Sequence, residues 1–297
     1  MKDIITEKNA ISAGTLYLVA TPIGNLSDIS ERALKTLSEV DFVAAEDTRN
    51  SRKLLSCFGI SKPMISYFEH NKKARGEEIV ARLSSGESCA LVTDAGMPGI
   101  SDPGEDIVRL CIENGIPVTL VPGPCAAVTA LVLSGLPTAK FIFEGFLPQK
   151  ASERDKRIEE LSHETRTIVL YEAPHRLKST LKSLGKGFGD DRKLSICREL
   201  TKINEEIFRT TIAQACDYYS ENDPRGEYVL IVAGADETKS ELSPALSDPV
   251  AEVKSLILDG IPKNEAIKQV ARQLGVPKNT VYQQFINSTE DENGNAQ

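Results

Sequence analysis

Two short runs set carboxylates beside cationic side chains, as a site that moves a proton or holds a phosphate requires. AEDTR carries Glu46, Asp47 and Arg49, and LYEAPHR carries Glu172, His175 and Arg176. A carboxylate or an imidazole can take a proton from a weak nucleophile. A guanidinium can grip phosphate through paired hydrogen bonds. Glu46 with Arg49, and Glu172 with Arg176, would serve equally well as structural ion pairs. Two other segments are dense in Gly and Pro: DAGMPGISDPG, from Asp94 to Gly104, and VPGPCAA, from Val121 to Ala127. Loops of this kind let backbone N–H and C=O groups come close to a ligand. Asp94, Ser101 and Asp102 add polar side chains to the first. The second turns into an apolar helix whose free N–H groups can meet a carboxylate. A further turn, TPIGNL, runs from Thr21 to Leu26. Pro22 has no N–H, so this turn is no full phosphate cradle. It also lacks the GxGxxG of a dinucleotide-binding loop, which argues against NAD and against the commonest methyltransferase fold.

These segments sit where apolar runs stop. Strands are predicted at Thr15 to Ala20, Asp41 to Asp47, Cys89 to Gly96 and Pro117 to Pro124. Helices are predicted at Glu31 to Val40, Glu77 to Gly86, Glu105 to Gly115 and Cys125 to Gly135. Such alternation implies a parallel sheet covered on both faces, and open parallel sheets bind ligands beyond the carboxyl ends of their strands. LPTAKFIFEGFLP then marks a domain crossover, with Pro137 and Pro148 bracketing a strand. More strands follow at Arg166 to Pro174, Lys193 to Leu200, Glu205 to Ile212 and Gly226 to Gly234, with helices at Ser152 to Ser162, His175 to Leu184 and Ile212 to Tyr219. The expected organisation is an N-terminal α/β domain over 12–136, a second α/β domain over 137–236, a polar linker over 237–249, a helical unit over 250–287 and a disordered tail over 288–297.

Within the helical unit, NEAIKQVARQLGVPKNTVYQQF reads as helix, turn, helix, with Ala271 at the crossing, Gly275 in the turn and Val281 packing back. As a DNA reader this unit would expose Lys278, Asn279, Thr280 and Gln283; an accessory grip on RNA is the preferred reading, and a structural cap is the alternative. The net charge of −8 over 297 residues is unusual for a nucleic-acid enzyme. Cations are nonetheless gathered between Glu46 and Arg75, where seven Lys and Arg, among them Arg49, Arg52 and Lys53, face three acids. A local basic footprint is therefore expected on an acidic protein. Six scattered cysteines without a CxxC pair read as buried thiols in a reducing cytosol, and three histidines leave a metal centre improbable. MKDIITEKNA lacks the apolar core of a signal peptide, and nothing approaches a membrane-spanning run, so a cytoplasmic protein is expected.

LYLVATPIGNL, AAEDTR, TDAGMPGISDPG, VPGPCA and LYEAPHR, in this order, resemble the ribosomal RNA small-subunit methyltransferase I family of the tetrapyrrole-methylase superfamily. The resemblance runs from Gly14 to Ala235 and continues into the helical unit. It implies two α/β domains of the tetrapyrrole-methylase (class III methyltransferase) type with a small helical C-terminal extension. It further implies a homodimer, S-adenosyl-L-methionine between the two domains, and 2′-O-methylation of a cytidine in the decoding region of 16S rRNA on the 30S subunit. Carried over by motif, the cofactor residues would be Pro22, Asp94, Ile100, Ser101, Asp102, Gly123, Cys125, Ala126, Tyr171, Gly226 and Glu227. Ile100, Val229 and Tyr171 would wall the adenine. The loop departs from the superfamily pattern, because AGMPG follows Asp94 where Pro is usual. Candidates for the base are Glu46, Asp47, Glu172 and His175, and for RNA contacts Arg49, Arg52, Lys53, Arg176 and Lys278. The competing readings are a precorrin-type tetrapyrrole methyltransferase and a non-catalytic RNA-binding module of ribosome assembly.

Overall fold

LYLV (β1, Leu16–Val19), FVAA (β2, Phe42–Ala45) and CALV (β4, Cys89–Val92) are buried at every residue. Continuous burial of that kind marks central strands covered on both faces. The partly exposed β3 (Met64–Ser66) and β5 (Val118–Val121) flank them. The five strands form a wholly parallel sheet in the order β3-β2-β4-β1-β5. Between them run α1 (Glu31–Glu39), α2 (Thr48–Cys57), α3 (Lys72–Ser84) and α4 (Gly104–Glu113). The Ser30 side chain caps α1 by accepting from Ala33 N at 3.1 Å. Two apolar clusters cover the two faces, one around Leu16, Phe42 and Ile107, the other around Val19, Val43 and Leu37.

After α5 (Ala126–Ser134) comes a second sheet, ordered β6-β7-β10-β8-β9. Its strands are β6 (Phe141–Phe146), β7 (Thr167–Glu172), β8 (Lys193–Arg198), β9 (Glu206–Thr211) and β10 (Tyr228–Val232). Here β6 and β7 are parallel, while β10 runs antiparallel to both β7 and β8. The helices α6 (Ala151–Leu161), α7 (Pro174–Phe188) and α8 (Ile212–Glu221) pack on one face, and α5 packs on the other.

In this computed structural model the described residues are 10–236, 249–273 and 276–294. Contacts group both sheets into one unit ending at Ala235, and the remainder into a second. The second unit holds α9 (Pro249–Leu258), α10 (Lys263–Gln273) and α11 (Lys278–Gly294) around Val253, Ile267, Val270, Ala271, Val281 and Phe285. Gly275 and most of the expected linker lie outside the described residues. The last helix continues to Gly294, beyond the boundary expected after 287, since extending a helix costs less than nucleating one. The sequence reading also passed over α2 and β3 and started α3 five residues late, at Glu77 rather than Lys72. TRNSRKLLSC is dominated by polar and charged residues and buries only Ser51 and Leu55, so it contains no apolar run to mark it.

Candidate functional site

The carboxyl edges of the two sheets enclose a cleft of about 500 Å³, within the usual range for small-molecule sites. From the first sheet it takes Ile23 after β1, Glu46 after β2, Thr93 to Ala95 and Ile100 to Asp102 after β4, and Ala126 after β5. The second sheet contributes Phe146 from β6, Tyr171 to Pro174 from β7, Leu200 beyond β8, and Glu227 to Val229 entering β10. The walls are mixed. Ile23, Ile100, Ala126, Leu200 and Val229 are apolar, and Tyr171 stacks edge-on against Phe143 at 5.1 Å and Phe146 at 5.5 Å. Burial pushes the Tyr171 phenol up to about 12, so it stays neutral.

The loops are fixed by one another. Thr21 and Gly96 exchange backbone hydrogen bonds of 2.9 and 3.1 Å, tying the first turn to the glycine-rich loop. In that loop Asp102 accepts from Gly99 N at 2.9 Å and Gly104 N at 2.7 Å, which closes the turn and satisfies the first N–H of α4. Ser101 holds φ at 63°, a conformation that is sterically costly for a serine and persists only where its surroundings impose it. Across the cleft, a Cβ on Gly24 would stand 2.8 Å from Thr201 Oγ1 and 3.0 Å from Leu200 O. Only glycine allows the first turn to lie that close to the loop after β8.

Asp94 accepts from Asp47 N at 3.2 Å and from Asn50 Nδ2 at 3.1 Å, anchoring α2 to the cleft. Asp47 in turn caps α2, taking Arg49 N at 2.8 Å and the Arg49 guanidinium at 2.6 Å. Its carboxyl is lowered to about 2, chiefly by the Arg49 side chain. Glu46 accepts from Thr93 Oγ1 at 2.7 Å through one oxygen, and its other oxygen has no partner among the described residues.

The candidates divide accordingly. Glu46, Asp94, Ile100, Ser101, Asp102, Ala126, Tyr171, Glu172 and Glu227 line one cleft, whereas Pro22, Asp47, Gly123, Cys125, His175 and Gly226 do not. Gly123 sits in a crowded spot, where a Cβ would lie 3.0 Å from that of Ala20. Gly226, at φ 84°, leaves room for the Glu199 carboxylate. His175 is exposed on the first turn of α7. Glu172 is buried, and both its oxygens are engaged: by Ala173 N at 2.9 Å and by Thr180 Oγ1 at 2.5 Å. Arg176 departs from its expected place on phosphate. Its guanidinium turns inward to the Leu147 and Pro148 carbonyls at 2.6 and 3.3 Å and lies 3.3 Å from Glu172. Arg49, Arg52 and Lys53 are exposed on α2, and Lys278 opens α11 in the second unit. Sequence reasoning missed Ile23, Thr93, Phe146 and Leu200. For Ile23, Phe146 and Leu200 the available signal was an apolar residue at or just beyond a strand end; Thr93 carried no such signal.

The fold is that of a tetrapyrrole methylase. The sequence model described as Tetrapyrrole (Corrin/Porphyrin) Methylases matches residues 15–216. A uroporphyrin-III C-methyltransferase from Thermus thermophilus superposes with a TM-score of 0.52 at 20% identity, over 78% of this chain and 99% of that one. A cobalt precorrin-4 methyltransferase gives 0.54 at 18% identity, over 74% and 95%. Much greater likeness is found to proteins named ribosomal RNA small subunit methyltransferase I. The one from Synechocystis sp. is 47% identical over 91% of this chain and 96% of its own length. Those from Halalkalibacterium halodurans and Pseudomonas aeruginosa are 48% and 46% identical, over 91% and 93% of this chain and 93% and 98% of their own. The chain belongs to the ribosomal RNA small subunit methyltransferase I family.

Proposed function

We propose that this protein transfers a methyl group from S-adenosyl-L-methionine to the ribose 2′-oxygen of a cytidine in the decoding region of 16S rRNA, acting in the cytoplasm on the 30S subunit. The observation that carries this reading is the cleft itself, whose floor is part apolar and part carboxylate and whose first-sheet rim continues into the exposed cations of α2. Its residues fit the cofactor. Ile100, Val229, Leu200 and the Tyr171 ring offer flat apolar walls for an adenine, and the loops around Asp94 and Ala126 present backbone groups to the amino-acid end. Bound there, the sulfonium supplies an activated methyl group.

What remains for the protein is positioning. Glu46 is the one candidate base that lines the cleft with a carboxylate oxygen left open, while Thr93 fixes the other oxygen. It would take the hydroxyl proton as the ribose oxygen attacks. Arg52, Lys53 and the outward face of Arg49 would hold neighbouring phosphates, setting the register of the ribose. The protein would work as a homodimer. The α5 sequence AAVTALVLS is mostly apolar; one side packs on the second sheet, and Val128 and Val132 are left exposed. Incubation with labelled cofactor and either 30S subunits or precorrins tests the reading: label is expected in 16S rRNA alone.

A further inference from the structure

Phe68, at the carboxyl edge of the first sheet, leaves about a third of its surface exposed, 36%. A single exposed phenylalanine is ordinary, but the backbone that carries this one is held in place. Its N–H donates to Asn71 Oδ1 at 2.8 Å, and its carbonyl accepts from Asn71 N at 3.0 Å. Asn71 Nδ2 donates to Ser66 O at 3.0 Å. The next residue, Lys72, bridges Glu69 and Asp106, both at 2.7 Å, and so ties this turn to α4. Beneath it, Tyr67 is buried, with its hydroxyl donating to Pro103 O at 3.2 Å. The His70 ring lies 6.2 Å from that of Phe68 at 88°. At that angle the two rings meet edge to face and do not cover one another as a stacked pair would.

The position matters as much as the rigidity. Tyr67 N donates to Ala45 O at 2.8 Å, so Phe68 is level with Glu46 and Asp47 on the neighbouring strand. The helix α2, with Arg49, Arg52 and Lys53 exposed, packs beside β3. Lys73 and Arg75 are exposed on the first turns of α3 just downstream. Fixed aromatic faces among cations are the chemistry that binds an unpaired nucleic-acid strand, because every base has a π-face and every linkage a charge.

We propose that Phe68, braced by His70, is a stacking platform for an unpaired nucleobase of the RNA strand whose ribose enters the cleft. This rests on the RNA reading above. The test is steady-state methyl transfer by the full chain to 30S subunits, with cofactor affinity measured separately by calorimetry. Phe68→Ala and Phe68→Leu should each raise the KM for 30S about tenfold and leave cofactor affinity unchanged. Phe68→Trp should restore a KM near that of the unaltered chain, since an indole stacks and leucine does not. The sequence contains no tryptophan, so the indole of Phe68→Trp would also report a stacked base by quenching when 16S rRNA is added. A Phe68→Ala KM within twofold of the unaltered chain overturns the proposal. So does a Phe68→Leu variant that works as well as Phe68→Trp, because the contact would then be merely apolar. If the unaltered chain transfers no methyl group to RNA, the RNA reading itself fails, an outcome visible before any variant is compared.

Discussion

Glu46 and Glu172 are both acids on the cleft wall, but their surroundings give them different work. Glu172 is buried and satisfied by Ala173 N and Thr180, with Arg176 alongside. It holds β7, α7 and, through Arg176, the loop after β6 in one arrangement. Glu46 keeps one oxygen free toward the cleft. Glu46→Gln should therefore lower kcat about a hundredfold with cofactor affinity unchanged. Thr180→Val should mainly lower stability, by about 1–3 kcal/mol, because it leaves the buried Glu172 carboxylate short of a donor. Single-turnover kinetics and urea titrations of the two variants separate these roles, and equal kcat values for Glu46→Gln and the unaltered chain would remove Glu46 as the base.

At the scale of elements, α2 joins the cleft to the proposed RNA surface. Asp47 caps it, and Asp94 receives both the Asp47 N–H and the Asn50 side chain. Because the folded Asp47 carboxyl titrates near 2, below its ordinary 3.8, its contribution is fully present above pH 3.8. That contribution disappears as the pH falls through about 2. The Tm difference between the unaltered chain and Asp47→Ala should hold steady at neutral pH and narrow below 3.8; a gap that widens in acid would contradict the cap. The sequence already disclosed the parallel first sheet, since LYLV, FVAA and CALV are uninterrupted apolar runs, and it disclosed the glycine-rich loops. It did not disclose α2, which buries only Ser51 and Leu55 and so contains no apolar run. Nor did it disclose that Arg176 turns inward, because an arginine after a strand end reads the same whether it meets carbonyls or phosphate. The roles of Gly24 and Gly123 depend on what packs against them across the fold, which no local pattern records.

At the scale of the whole molecule, two features bear on a large RNA substrate. The exposed apolar side of α5, with Val128 and Val132, is the proposed seam between protomers. Val132→Glu should give a monomer by sedimentation, and a variant that stays dimeric places the seam elsewhere. The helical unit beginning at Asp236 has its own apolar core. Removing it should weaken 30S binding and leave cofactor affinity nearly unchanged. Full methylation by the truncated chain at limiting enzyme would make this unit a cap only. Binding should also weaken with added salt as phosphates recover their counterions. The central claim is tested most directly by mass mapping of 16S rRNA after 30S subunits from cells lacking this gene are incubated with the purified protein and S-adenosyl-L-methionine. The account predicts one added methyl group, on the ribose of a cytidine in the decoding region. A methyl group on a base, or none on the RNA at all, would contradict it.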